Sequence, residues 1–492
     1  MSLALDTSHR VRAQTPPPTP NATPTPTPTS TPAKPPVDPV EPARQAVVKR
    51  LDQNGWFNDT THDELREING EVHKLAPSDR NALVSKLTDD ELRTWAGEVG
   101  SHGVLGTGGL DRDERKALFD DLAKGLDGRQ LARVSKAFNG EVESKELGDA
   151  IAAQSTPQAR REFVQAMAGR VESDPQAAVQ VAKAIGGLKG HGAEVDAALG
   201  ALSDSQLTAV IKAAKQEWSH TNVGPMGGGS LTVTYDVAPL TSMLDAVATG
   251  RNADAKAKVF EYAAKELKAI AETNNGLGMA VIKRGAEEAI TRSLSGLITS
   301  DTNGVMRSLE SNFREGRGIT TFTEQMIRQG RNSELKVIIE QLRLGNDGKG
   351  DAVKRFEATE GAGNERNAQT LGYFVGSIYS GVSAINRNID KQAGMVKAIF
   401  GASLSGGKDV AGMWLSTGAK GAVGALVATA GAVGILATDQ IARDMKAGNK
   451  DLREGLSELA FPRDAQGRKY EGEEAETAYD AAVSRVINAN SP

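Results

Sequence analysis

Two stretches near the C-terminus contain no charged residue, and each is almost as long as a membrane-crossing helix. Residues 367–386 form a run of 20 between two arginines, and residues 421–438 form a run of 18 between a lysine and an aspartate. A helix needs about 20 consecutive apolar residues to cross a hydrocarbon core. The pattern therefore predicts either two membrane-inserting helices or two buried helices of a soluble bundle.

Small residues recur every four positions in both stretches, which places them on one face of each helix. They are Gly372, Gly376, Ser380 and Ala384 in the first stretch, and Gly424, Ala428 and Ala432 in the second. Such a stripe lets helix backbones approach closely, as in membrane helix bundles. We expect these residues to pack the two stretches together as an apolar helical hairpin within residues 367–446. The breaks in the pattern predict helices over 367–389, 392–403 and 409–445.

Most of the preceding chain has apolar residues at helical spacing, and part of this pattern occurs twice. Within residues 126–272, residues 126–138 resemble 202–214, and residues 147–168 align without gaps to 243–264. Repeated helical units bury their faces against one another and present a binding surface more often than a catalytic centre. The predicted fold is mainly α, with helical repeat modules followed by the apolar Gly/Ala-rich hairpin.

An insertion at residues 217–236 interrupts the second copy of the duplicated pattern. It contains three consecutive glycines followed by the alternating sequence LTVTY, which predicts a β-hairpin with a flexible tip. Residues 273–366 then return to amphipathic helices. One face of the helix near residue 340 is predicted to consist of Leu335, Ile338, Ile339 and Leu342.

Residues 43–125 have the pattern of two helix–loop–helix units with EF-hand-like loops. The first loop retains Asp52, Asn54, Gly55, Phe57 and Asn58, and the second retains Gly108, Leu110 and Glu114. Carboxylates are missing where they are needed, because Arg50, Thr61, Gly103 and Leu105 occupy ligand positions. Calcium requires six or more oxygen ligands. We therefore predict an EF-hand-like region without a good calcium site, and no metal or cofactor.

Composition excludes several classes of function. The chain of 492 residues has a net charge of −5, which offers no basic footprint for nucleic acid. It has no cysteine, so disulfides, thiolate metal sites and a cysteine nucleophile are excluded. Only 4% of the residues are aromatic, whereas alanine and glycine are abundant, and this balance favours closely packed helices.

Both ends of the chain are polar. Residues 1–42 contain 12 of the 19 prolines, mostly in Thr-Pro repeats, and are predicted to be a disordered, extended leader. This leader is either a spacer or a signal for secretion or a partner. No secretory signal peptide is recognisable, which fits a cytoplasmic protein or export by a dedicated machine. Residues 447–492 are predicted to be a polar tail that ends in a helix.

Motifs for catalysis are absent or incomplete. The sequence GASLSGGKD resembles a phosphate-binding loop, but Ala402 replaces its first glycine and Asp409 replaces the hydroxyl that binds magnesium. Glutamates one residue apart, Glu471 with Glu473 and Glu474 with Glu476, could serve acid–base chemistry. Acidic tails are much commoner than such sites, so we predict no enzyme. An enzyme with an unrecognised site is the third alternative.

The order of these segments resembles that of bacterial secreted effectors and translocators. The likeness lies in a Ser/Thr/Pro-rich leader without a signal peptide, helical modules and an apolar helical hairpin. The chain most resembles type III translocon proteins of plant-associated bacteria, which combine N-terminal repeats with hydrophobic C-terminal segments, and pore-forming toxins share the hairpin. The resemblance implies export and action at a target-cell membrane through pore formation or translocation. Its implied partners are membrane lipids, a secretion chaperone or apparatus protein, and further copies of the chain. The alternative is a soluble helical interaction protein without membrane activity.

Overall fold

The fold is mainly α, as the sequence predicted. The computed structural model describes residue 38 and residues 40–51, 60–100, 109–223, 229–276, 285–347, 355–356, 362–401, 433–461 and 473–491. In these ranges there are 22 α-helices and one antiparallel two-stranded hairpin. Apart from Asp38 and the start of the first helix, the predicted leader lies outside the described residues.

Eleven helices precede the hairpin. They are α1 (Val40–Leu51), α2 (His62–Lys74), α3 (Pro77–Lys86), α4 (Asp89–Gly100), α5 (Arg112–Gly125), α6 (Gly128–Ala137), α7 (Glu141–Gln154), α8 (Pro157–Met167), α9 (Pro175–Gly186), α10 (Gly192–Gly200) and α11 (Asp204–Ala214). The strands are β1 (Gln216–Val223) and β2 (Gly229–Asp236).

Eleven further helices follow the hairpin in the described residues. They are α12 (Ala238–Val247), α13 (Ala253–Gly276), α14 (Ala286–Thr299), α15 (Thr302–Asn312), α16 (Arg317–Arg328), α17 (Asn332–Leu344), α18 (Ala362–Ile385), α19 (Ile389–Gly401), α20 (Val433–Lys446), α21 (Leu452–Ala460) and α22 (Glu473–Asn490).

Short polar sequences set where many of these helices begin. Thr61 caps α2, because its side-chain oxygen accepts a hydrogen bond from the amide of Glu64. The amide of Thr61 in turn donates to the carboxylate of Glu64. Asp111 caps α5 in the same reciprocal way with Glu114. Such capping boxes satisfy amides that have no partner inside the helix. The helix starts are therefore encoded locally, before any tertiary packing.

Most helices pack on the helix two places further along the chain. In one series α5 contacts α7 and α7 contacts α9, which in turn contacts α12 beyond the hairpin. In a second series α4 contacts α6 and α6 contacts α8. The amphipathic pattern explains this arrangement, because each helix buries one apolar stripe between its two neighbours. All four predicted apolar residues of α17 are indeed buried.

The predicted hairpin is present at the predicted place. Gln216 pairs with Asp236, and the register continues to Val223 opposite Gly229. The tip, residues 224–228, lies outside the described residues. Apolar and polar side chains alternate here without helical spacing, which favours a strand. Val233 of β2 is buried and so joins the hairpin to the rest of the fold.

Buried cations recur at one position of several helices, the fourth residue after the N-cap. Arg160 on α8 donates to the carbonyls of Ile151 at 3.1 Å and Gly187 at 2.5 Å, which end α7 and α9. In the aligned segment Lys256 on α13 donates to Ser300 Oγ at 2.9 Å, just after α14. Arg80 on α3 likewise donates to carbonyls at the end of α2. A cation at a helix C-terminus satisfies carbonyls that have no helical partner and opposes their dipole.

Most of both EF-hand-like loops, residues 52–59 and 101–108, lies outside the described residues. Glu114, which holds the last ligand position of the second loop, is bound by His62 at 2.7 Å and by Arg66. Burial of the carboxyl acts to raise the pKa of Glu114, but the hydrogen bonds from His62, Arg66 and the Asp111 amide outweigh it and lower the pKa to about 2. The carboxylate therefore completes a protein ion pair. Across the described residues, no group of three or more histidines or carboxylates is arranged to hold a metal.

Candidate functional site

The first uncharged stretch forms most of helix α18, which lies in the interior of the described fold. The predicted helix over 367–389 begins five residues earlier and ends four residues earlier than expected, at Ala362–Ile385. It contacts α15, α16 and α22. Apolar side chains on several sides of the helix are buried, namely Ala368, Leu371, Tyr373, Phe374, Val375, Ile378 and Val382.

Two of the predicted packing residues make the closest helix contact of this region. A Cβ added at Gly372 would lie 2.3 Å from the carbonyl oxygen of Tyr479, and one added at Gly376 would lie 3.0 Å from the carbonyl oxygen of Val483. Both contacts are with α22, the last helix of the chain. Since real Cβ atoms do not approach a carbonyl oxygen to 2.3 Å, α22 could not lie this close to a larger residue at position 372.

The other two residues of the stripe on α18 differ from each other in burial. Ser380 is buried, and its hydroxyl donates to the Gly376 carbonyl at 3.0 Å, whereas Ala384 is exposed. Gly381, which is not part of the stripe, faces α16, where an added Cβ would lie 3.0 Å from the Glu324 amide nitrogen. Gly424, Ala428 and Ala432 lie outside the described residues, so their packing against residues 367–386 stays a prediction.

Polar contacts at the edge of the pair join α22 to helix α15. Arg485 forms an ion pair with Glu310 at 2.8 Å, and Gln369 of α18 donates to the same carboxylate at 2.8 Å. Glu310 is 5% exposed. Since a buried carboxylate requires partners, these two donors compensate its burial and set the position of α22 along α18.

Two buried tyrosines lie in this region. Tyr373 of α18 donates its hydroxyl to the Phe313 carbonyl at 3.0 Å, and the Tyr479 ring of α22 meets the Phe461 ring edge-on at 5.0 Å. Burial raises the pKa of both phenols above its ordinary value. Because the phenol ionises more easily in the unfolded chain than in the folded one, its burial contributes fully to stability at pH values below the ordinary pKa near 10. This contribution is lost as the pH rises from that value towards the folded-state pKa.

We expect Tyr479→Phe to reduce the slope with which the free energy of unfolding falls as the pH rises above about 10. Among the described residues, the hydroxyl of Tyr479 makes only one hydrogen bond, a long one of 3.5 Å to Ser457 Oγ. The variant should therefore keep its stability at neutral pH within about 1 kcal/mol. Above about pH 10 each such phenol contributes a loss of up to about 1.4 kcal/mol per pH unit. Urea unfolding across this range measures the slope.

Tyr379→Phe is the matched control, because it removes one phenol from a half-buried position of α18. Equal alkaline slopes for the wild-type chain and Tyr479→Phe would contradict the prediction.

Helix α22 is the packing partner of α18 that the sequence interpretation missed, because residues 447–492 were treated as a polar tail. A signal was present: Ala475, Tyr479, Ala482, Val483 and Val486 follow helical spacing, and all are buried. The glutamate pairs precede or begin this helix. Glu474 is exposed and lines a groove with Glu365 and Arg485, whereas Glu471 lies outside the described residues.

Two further helices of the predicted apolar region can be compared with the structure. The helix predicted over 392–403 is observed as α19, and only the last part of the helix predicted over 409–445 is described, as α20. Within the described ranges, no helix combines the length and apolar character that a bilayer crossing requires. Helix α18 is among the helices to which this finding applies.

Comparisons with known proteins give no assignment: no protein-family model, curated protein or solved structure matches this chain.

Proposed function

We propose that this chain is a secreted bacterial effector or translocator-type protein that acts at a target-cell membrane through its C-terminal apolar region. Its helical repeat modules would serve as a scaffold in this proposal, and the apolar segment after them would contact lipid. Export of the protein from the cell is part of this proposal because the order of segments resembles that of secreted effectors. The Thr/Pro-rich leader would then carry the secretion signal.

The observation that carries the proposal is the way in which the second uncharged stretch is joined to the fold. Helices α19 and α20 precede and follow residues 402–432, and these two helices pack against each other and against α21. The sequence between them and into α20 includes the uncharged run 421–438. Most of this run therefore belongs to a segment that joins two packed helices, and such a segment could meet a bilayer while the scaffold stays folded.

The packing of α18 assigns the two uncharged stretches different roles in this proposal. Helix α18 is covered by α15, α16 and α22, so its insertion would cost the whole of this buried contact. Residues 421–438 therefore become the principal lipid-contacting stretch. The hairpin with α18 would form only if α22 left its place.

We expect the full-length chain to release dye from vesicles containing anionic lipid and to resist extraction from them by carbonate. Leu426→Asp should abolish both properties, because a carboxylate near the centre of an inserted helix costs about 3 kcal/mol. Dye release and carbonate extraction are measured on the same vesicle preparations.

The matched control is Val142→Asp, which places the same charge at a side chain that is 51% exposed on α7. It should leave dye release unchanged. Complete extraction by carbonate, together with no dye release in any lipid mixture, would contradict the membrane proposal.

A soluble helical interaction protein is the second candidate, and the burial of α18 favours it. In that case the helices that contact one another two places apart form the binding scaffold, and α18 with α22 is part of its core. This candidate predicts that the full-length chain never sediments with vesicles, whatever their lipid composition.

A further inference from the structure

A concave groove lies on the series formed by helices α4, α6 and α8. Its volume is about 640 Å³, which is within the usual size of ligand sites. Three successive helices of one series form it, and extended partners commonly bind stacked helices on such surfaces. The groove is about 200 residues distant in sequence from the apolar region, and it takes no part in the membrane proposal.

The charge of this groove is opposite to that of the whole chain. Five cations and one carboxylate line it, in a protein with a net charge of −5. The cations are Arg93, Arg129, Arg133, Lys136 and Arg170, and the carboxylate is Asp89.

Three of the cations have partners in the fold. Arg133 binds Asp89 at 2.8 Å and also donates to the carbonyls of Val84 and Leu87, so it supports the wall of the groove. Its hydrogen bonds and charge lower the pKa of the Asp89 carboxyl, which therefore stays ionised. Arg93 binds Asp90, at the edge of the groove.

Arg170 is held in place by an ion pair within the fold. Its Nη2 binds Asp174 at 2.6 Å, whereas its Nη1 is buried and has no hydrogen-bond partner among the described residues. Arg170 therefore contributes positive charge to the lining, whereas this buried nitrogen is itself not accessible to a ligand.

Arg129 and Lys136 complete the cationic lining from helix α6. Both side chains are exposed, and neither makes a hydrogen bond or an ion pair with another described residue. They are therefore available to a ligand without the loss of an existing contact.

Apart from Asn139, the remaining lining is apolar, and it contains no aromatic ring. Leu92 and Met167 are each 1% exposed and form part of the floor, together with alanines of α6 and α8. A nucleic-acid site for single strands would need aromatic platforms for the bases. A floor of this kind instead accepts aliphatic side chains that lie between charged groups.

The duplicated segment provides an internal comparison. The apolar positions Leu131 and Val134 of α6 correspond to Leu207 and Val210 of α11, and all four are buried. By contrast, Arg129 and Arg133 correspond to Ser205 and Ala209, so two of the three cations on this helix are absent from the second copy. Because α11 packs without them, packing of such a helix does not require the cations.

We propose that the groove between α4, α6 and α8 binds an acidic segment of a partner protein, with carboxylates at the arginines and aliphatic side chains on the Leu92–Met167 floor. Guanidinium groups bind carboxylates with two parallel hydrogen bonds, which suits the arginine-rich lining. The concave shape favours a peptide segment over the flat surface of a membrane.

The test uses the full-length chain and a fluorescein-labelled peptide of repeating Asp-Leu-Glu. Fluorescence anisotropy should detect binding that weakens as NaCl is added. In the double variant Arg129→Glu and Lys136→Glu the Kd should rise at least about tenfold, because two attractive charges become repulsive. The variant Arg129→Lys and Lys136→Arg should keep binding within about threefold of the wild type.

The matched control is Lys212→Glu with Arg251→Glu, which changes the net charge equally at exposed residues of the second copy. It should bind the peptide as the wild type does, and circular dichroism verifies that all variants are folded. The proposal is overturned if the wild type does not bind, or if both charge reversals weaken binding equally. It is also overturned if polyuridylic acid or phosphatidylserine vesicles bind the groove more tightly than the peptide. Peptide binding and dye release can fail separately, so the two proposals are tested independently.

Discussion

Gly372→Ala is expected to destabilise the protein by about 2–3 kcal/mol, although alanine is the better helix former. The new methyl group would lie 2.3 Å from the Tyr479 carbonyl oxygen, so α22 must move away from α18 by about 1 Å. Such a shift disturbs the edge-on contact of Tyr479 with Phe461 and the ion pair of Arg485 with Glu310. The cost of this repacking exceeds the gain of about 1 kcal/mol from helix propensity. Urea unfolding measures the difference.

Gly394→Ala is the control for this experiment, because Gly394 lies within helix α19 and has no atom within 4 Å of an added Cβ. There the helix propensity acts alone, and we expect a gain of up to about 1 kcal/mol. A Gly372→Ala variant that is as stable as the wild type would mean that Gly372 and α22 are not in close contact.

Arg160→Ala is expected to cost about 3 kcal/mol or more. Arg160 is 8% exposed, and its guanidinium donates to the carbonyls of Ile151 and Gly187, which end different helices. Without it, both carbonyls lose a donor in a buried place, and each loss costs about 1–3 kcal/mol. Arg160→Lys should retain part of the stability, since lysine occupies the aligned position 256 and donates there to Ser300.

The neighbouring arginine is the matched control. Arg161 has a side chain that is 35% exposed and a long ion pair of 3.8 Å with Glu162, so Arg161→Ala should change stability by no more than about 0.5 kcal/mol. If the two alanine variants had equal stability, the helix ends would not depend on the buried guanidinium.

Local sequence predicted much of the secondary structure. The four apolar residues of α17 follow helical spacing and are buried, and the alternating LTVTY sequence lies in strand β2. Helix starts such as Thr61 and Asp111 carry their own capping partners three residues later. These features depend on residues within one or two turns, and for that reason a linear pattern is sufficient to predict them.

The candidate site was predicted only in part. The stripe of small residues includes Gly372 and Gly376, which lie against the backbone of α22, whereas the packing of the two uncharged stretches on each other stays a prediction. The spacing of small residues indicates that one helix face allows close approach, but it does not identify the distant helix that packs on this face. Helix α22 begins about 100 residues later, and its complementary surface is built from the backbone at Tyr479 and Val483.

By itself, the sequence of this protein determined a mainly helical fold, one β-hairpin, an uncharged run at 421–438 and the absence of recognised catalytic motifs. Only the tertiary structure decided that α18 is covered by α22, that Arg160 satisfies the ends of two helices, and that cations of α4, α6 and the segment after α8 line one groove. The physical reason is the range of the interactions. Helix and strand formation depends on neighbouring residues, whereas close packing and buried hydrogen bonds depend on surfaces that meet only after the chain has folded.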